Sequence, residues 1–269
     1  MNLKIPLKLW PVNILNIVFL KTMMRFFLYT FLSLANLVFS QTILNSESLL
    51  NHSADKLTAQ LNLSVDWESG NENTFATFNQ ILVGTKKGKQ LWRLIIGHDY
   101  EDDEGEIVAN DWSGQLRLNH YVSAKNSIYG FVQSQNIRVL QMNHRYLVGG
   151  GYRHSLYANE SQYFDLAAGL FYEDEEYPEL QTNKLRFNIN GYVRVKIFEK
   201  LFFNCVTYFQ INTKDTSDIR LFVEPKINFE LDKFTLSIVG QNRYNSTPYL
   251  VNKKNDFLSQ LVLTINPFD

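Results

Sequence analysis

The sequence predicts an all-β chain, an antiparallel up-and-down transmembrane β-barrel of about 12 strands that follows a cleaved N-terminal signal peptide. Three observations carry that prediction. Apolar and polar residues alternate with a period of two from Lys56 almost to the end. The connections between the alternating runs switch between short and long, and an export signal stands ahead of them.

Composition narrows the class first. Aromatic residues make up 14% of the 269 residues and there are only 6 prolines, which suits strands and argues against a disordered chain. A net charge of -1 gives no support to nucleic-acid binding. The single cysteine, Cys205, excludes an internal disulfide framework and a cysteine metal cluster, and its place on an apolar strand face makes it a packing residue.

The N-terminal stretch "MRFFLYTFLSLANLVFSQT" has a basic Arg25, an apolar run from Phe26 to Val38, and Val38 and Ser40 at -3 and -1 of a cleavage before Gln41. Residues 1–23 form an over-long prelude, so translation is expected to begin at Met23 or Met24. The expected organisation is a signal peptide over 1–40, a short periplasmic lead-in over 41–55, and the barrel over 56–269. After residue 40 no apolar run approaches 18 residues, so any membrane crossing must use strands. In hydrocarbon every backbone N–H and C=O needs a partner, and a spanning sheet meets that demand only by closing on itself.

The strands are expected at 56–67, 74–85, 90–100, 108–121, 127–134, 142–156, 162–173, 184–197, 201–212, 219–231, 234–245 and 257–268. In the first, Leu57, Ala59, Leu61, Leu63, Val65 and Trp67 share one face, and Thr58, Gln60, Asn62, Ser64 and Asp66 the other. The second and fifth runs have ambiguous faces. Short connections such as "KKGK", "YANES" and "FEK" alternate with long ones such as "ESGNENT", "EDDEGEI", "DEEYPELQTN" and "NSTPYLVNKKND". A soluble sandwich has no reason to keep that alternation, whereas a barrel has short turns on its periplasmic rim and long loops outside. Two of the long connections, "EDDEGE" and "EDEEYPE", are acidic and are read as solvated loops and not as metal sites.

Residues 142–173 read as one hairpin turning at "YANES" on the periplasmic rim, with Leu166, Ala168 and Leu170 facing lipid and Gly149, Gly151 and Gly169 facing the lumen. The lumen-facing set is charged: Arg93, Arg117, Arg145, Arg153, Arg186, Arg194, Arg220, Lys226 and Arg243 against Asp165 and Glu224, with Lys196, Asp66, Asp99 and Glu230 on the same parity. Such a set builds either an anion-preferring constriction or a network of arginine–carboxylate pairs that fills the barrel. A twelve-stranded barrel is narrower than the 16–18-stranded porins, which favours the filled or narrow-pore reading.

Catalysis finds no support. None of His52, His98, His120, His144 and His154 has a serine two residues on, and neither GxSxG nor HExxH occurs. The chain is therefore expected to be no enzyme and to need no cofactor or metal. The expected partners are outer-membrane lipid and, during biogenesis, periplasmic chaperones and the barrel-assembly machinery. The barrel is expected to be a monomer in the outer membrane.

The segments "ESGNENT", "LWRLIIGHDYEDDEGEIVANDW" and "HRYLVGGGYR…FDLAAGLFYEDEE" resemble the salt-induced outer-membrane protein family, YdiY-like, also described as domain of unknown function 481. The resemblance covers most of residues 56–269. It implies an outer-membrane barrel linked to envelope or osmotic adaptation, and it has no established ligand or catalytic residues to carry over. The charged lumen itself leaves two readings, a narrow passive channel or a plugged structural barrel.

Overall fold

A computed structural model describes residues 43–49, 57–70, 73–159, 161–250 and 252–266. The signal peptide, its cleavage before Gln41 and the alternative starts at Met23 and Met24 lie outside the described residues. The strands are β1 (Leu57–Glu68), β2 (Thr74–Lys87), β3 (Gln90–Asp103), β4 (Glu106–Tyr121), β5 (Asn126–Ile137) and β6 (Met142–Ala158). They continue as β7 (Tyr163–Tyr177), β8 (Leu180–Phe198), β9 (Leu201–Asn212), β10 (Ile219–Glu230), β11 (Phe234–Asn245) and β12 (Asn255–Ile265). Each pairs antiparallel with its sequence neighbours, and β12 returns to β1, so the sheet is one closed up-and-down barrel.

Period-2 patterning dictates which way each side chain points. On β10, Arg220, Phe222 and Asn228 are buried inside, while Ile227 and Phe229 are exposed outside. On β5 the inside positions are Ser127, Tyr129, Phe131, Gln133 and Gln135, all buried. Apolar bulk on that inner face, with Gly130 and Ser134 on the outer one, is why the run reads ambiguously in sequence. Cys205 points outward, opposite Val193 and Pro225.

The long loops expected at "EDDEGEI" and "DEEYPELQTN" are not loops. The β3–β4 ladder continues to Asp103↔Glu106, and the β7–β8 ladder to Tyr177↔Leu180, so both hairpins end in two-residue turns. Glu104 (φ 52°) and Gly105 (φ 87°) both take positive φ, the conformation of a type I′ turn, whose twist matches the strands it joins. The acidic residues are therefore strand residues with alternating faces.

The wall is tightest between β6 and β7, where Gly151 faces Gly169. A Cβ on Gly151 would run into the Ala168 carbonyl oxygen and lie 2.7 Å from the Tyr129 hydroxyl. The inward glycines thus do two things: they let the strands coil closely and they make room for Tyr129, not for the arginines. The wall is loosest at the seam. Among the described residues, β1 is in register with β12 only at Leu61↔Ile265, Asn62↔Thr264 and Leu63↔Leu263. Beyond that ladder the Ser64 hydroxyl donates to the Leu261 carbonyl at 3.0 Å, and Trp67 stands 77% exposed.

The glycine contrast is testable. Gly151→Ala should lower stability by about 1–3 kcal/mol, because backbone and not a mobile side chain must give way. Gly130→Ala, whose Cβ would meet nothing closer than 3.7 Å, should change it little. Denaturant unfolding of the two variants in detergent checks the pair, and equal effects would overturn the account.

Candidate functional site

The lumen is the one place where the chain gathers ionisable groups from many strands. Arg93, Arg117, Arg145, Arg153, Asp165, Arg186 and Arg220 are buried on the inner face. Arg194, Glu224, Lys226 and Arg243 share it, more openly. Lys196 and Asp66, on the same parity, are instead exposed near strand ends.

At the end of the barrel that holds the β7–β8 and β9–β10 connections, three arginines converge on two glutamates. The Glu173 carboxylate accepts from Arg145, from Arg186 Nε at 2.6 Å and from Arg220 Nη1 at 2.8 Å. Glu175 takes both Arg220 Nη atoms, at 2.8 and 3.0 Å, in the fork geometry that arginine favours. Arg186 Nη2 lies 3.0 Å from each oxygen of Asp218, and Lys184 Nζ 2.9 Å from one of them. Sequence reasoning missed Glu175, Asp218 and Lys184 and left Glu173 out of the charged set. Glu173 already stood on the inward face of the expected 162–173 strand, and one further step of two finds Glu175. Asp218 carries no such signal, because it sits in the β9–β10 connection.

Across the middle lies an apolar layer of Tyr129, Phe131, Leu147, Phe171, Tyr192, Tyr208 and Phe222, joined by Ile43. Tyr208 stacks on Phe222 with centroids 5.6 Å apart and meets Tyr192 edge-on at 6.0 Å. The guanidiniums of Arg117 and Arg153 lie 4.2 Å from the ring centroids of Tyr129 and Tyr192.

The other half of the lumen holds a segment of the chain itself. Residues 41–55 were expected as a periplasmic lead-in, yet their described part, 43–49, lies inside the barrel. Leu44 N–H donates to Gln133 Oε1 at 3.0 Å, and Asn45 Nδ2 to Glu224 Oε1 at 2.7 Å. Glu47, brought in by a single turn of 3-10 helix, binds Arg153 Nη1 at 2.6 Å and approaches Arg93 Nη1 at 3.4 Å. Leu49 packs on Leu82 and Ile95. Buried cations and a buried apolar niche outweigh the polar look of this stretch. Beside it a cavity of about 50 Å³ is lined by Asn45, Glu47, Asn62, Asn204, Glu224 and Lys226, among others. That is room for a water or two. Arg194 pairs with both oxygens of Glu230 at 2.9 Å, and Arg243 lies 3.9 Å from Asp256. Among the described residues no three His, Cys, Asp or Glu side chains converge on a metal site.

Two consequences follow for the charged end. Glu173→Gln leaves buried arginines short of a counter-charge and should cost about 3–5 kcal/mol in denaturant unfolding, whereas Glu176→Gln, on the exposed outer face, should cost almost nothing. At Asp218, burial raises the carboxyl pKa, but the charge of Arg186, the Lys184 hydrogen bond and the charge of Arg220 outweigh it and hold it at about 2. Its unfolded value is about 3.9, so its stabilisation is present above that pH and is lost as pH falls through about 2. Unfolding midpoints of wild type and Asp218→Asn should therefore differ at pH 7 and converge toward pH 2; a constant gap would overturn the assignment.

No curated protein matches the chain. Among solved structures, the translocator domain of autotransporter NalP from Neisseria meningitidis is similar at a TM-score of 0.50 and 10% identity, over 82% of this chain and 91% of that one. The NanC porin has a TM-score of 0.47 and 11% identity, over 78% and 98%. The fold is thus of the outer-membrane type. A lumen-filled, twelve-stranded barrel carrying these motifs is also matched over residues 61–266 by the model for the protein family of unknown function DUF481, and the chain belongs to that family.

Proposed function

We propose that this chain is an outer-membrane barrel whose lumen is closed to passive flow, a plugged barrel that serves the envelope without transport through an open pore. The observation that carries the reading is the filling of the lumen. The Glu173 cluster occupies one end, the aromatic layer crosses the middle, and residues 43–49 with their arginine partners occupy the other half, leaving a cavity of about 50 Å³ beside them. A narrow passive channel would need a continuous polar path through those layers.

The outer surface supports a membrane location. Leu94, Leu116, Val132, Leu170, Ile189 and Ile238 are exposed all round the wall, a band that water disfavours and acyl chains suit. Tyr146, Tyr152 and Tyr172 are exposed beside it, where interfacial aromatics belong. In this reading the protein is exported by cleavage before Gln41, inserted by the barrel-assembly machinery after transit with periplasmic chaperones, and works as a non-catalytic monomer. The turn at Asn159 faces the periplasm and the tip beyond Glu176 faces outward.

In planar bilayers the purified protein should show no steady single-channel current, and Arg186→Ala or Arg220→Ala currents, if any, should be irregular. A steady wild-type conductance would instead establish the channel. Recovery in the soluble periplasmic fraction would sink the membrane location. In intact cells a cysteine at Glu176 should label and one at Asn159 should not; the reverse pattern would invert the barrel.

A further inference from the structure

The two charged ends of the lumen differ in how their cations are partnered, and the difference points to a ligand. Around Glu173 every arginine reaches a carboxylate. At the other end, among the described residues, Arg93 and Arg153 meet two carboxylates, Glu47 and Asp165, and Arg117 meets none. Arg153 takes Asp165 Oδ2 with Nε and Nη2, at 2.8 and 2.6 Å, and Glu47 with Nη1. Arg93 also donates from Nη1 to Ser46 O at 3.0 Å and from Nη2 to Asn119 Oδ1 at 2.5 Å, and its Nε has no partner. Arg117 is 2% exposed, lies on the Tyr129 ring, and has neither a carboxylate nor a partner for its Nε and Nη2. The buried hydroxyls of Tyr192 and Tyr208 are likewise unpartnered.

A buried guanidinium without a counter-charge is costly, and donors left unmatched are costly too. Glu47 differs from Asp165, the other acid at this end, in that no strand carries it. It arrives on a segment outside the wall, held by hydrogen bonds, by ion pairs and by the packing of Ile43 and Leu49, and its two oxygens engage two separate guanidiniums as a bound ligand would. We propose that Arg93, Arg117 and Arg153 form a binding site for a phosphate group, which Glu47 occupies as an intramolecular substitute. A tetrahedral oxyanion suits the site better than a carboxylate, because its extra oxygens reach the donors of Arg117 that Glu47 leaves unused. Withdrawal of residues 43–49 makes the room. The aromatic layer then forms the floor, so the site is a blind pocket and not a passage. The proposal rests on the reading of the lumen as closed beyond that floor.

The test is refolding of the full mature chain into detergent, scored by the gel mobility of the folded barrel without heating, with chloride at equal ionic strength as control. Wild type should fold alike in both salts. Glu47→Gln should show a phosphate-dependent, saturable gain in folded yield or, if it already folds fully, a phosphate-dependent rise in thermal midpoint larger than that of wild type. Adding Arg117→Gln should weaken that dependence by about tenfold or more. Arg117→Gln alone should fold, since it leaves two guanidiniums facing two carboxylates. An sn-glycerol 3-phosphate arm separates the sources: a gain with inorganic phosphate alone marks a free anion, and a gain with the ester marks a phosphorylated headgroup. No gain of Glu47→Gln in either salt over chloride, or a gain that survives Arg117→Gln, overturns the site. A silent bilayer recording together with such a failure would remove the site and leave the closed barrel standing.

Discussion

Closure of the sheet is the constraint on which the rest of this molecule depends. A strand paired on both sides presents no polar edge to hydrocarbon, but twelve of them wound into a ring enclose a space that must be filled. What fills it cannot be purely apolar, because the period-2 pattern that gives lipid its face leaves the polar residues inside. The interior is accordingly built as a core of ion pairs and aromatic rings. Glu173 at the centre of three arginines is its tightest knot.

That filling shapes the wall in return. Tyr129 needs the space above Gly151 and Gly169, and the close approach of β6 and β7 depends on the same two residues. The acidic run at the β7–β8 tip stays in strand because alternate carboxylates, Glu173 and Glu175, are drawn inward to arginine, whereas the run at the β3–β4 tip is largely exposed and is held by its backbone ladder and two-residue turn. The seam between β1 and β12 has no such anchor above Leu63. There the ladder ends early and the aromatic Trp67 stands free.

Membership of a family of unknown function assigns no activity, and the fold by itself hosts pores, transporters and inert barrels alike. The argument for a closed barrel comes from what stands in the lumen. The argument for a ligand comes from the difference between its two ends: at one every cation reaches a carboxylate, and at the other the Arg117 guanidinium has no carboxylate in contact and two donors without partners.

Much of the architecture was legible in the sequence, since alternation is a local property and each strand carries its own faces. Twelve runs, their order and the inward set from Arg93 to Arg243 follow from parity alone. Parity weakens where the lumen itself is apolar, as on β5, because both faces of the strand then look alike. It was also cut short at Glu173, where clustered acids resemble a loop until their partners are known. Glu175 with Arg220 lies 45 residues apart, and Glu47 with Arg153 lies 106 apart. No local signal marks either pair. Only ring closure brings those side chains together, and only burial turns the polar stretch around Glu47 from a lead-in into part of the core, because a carboxylate enters a dry lumen when cations are waiting there.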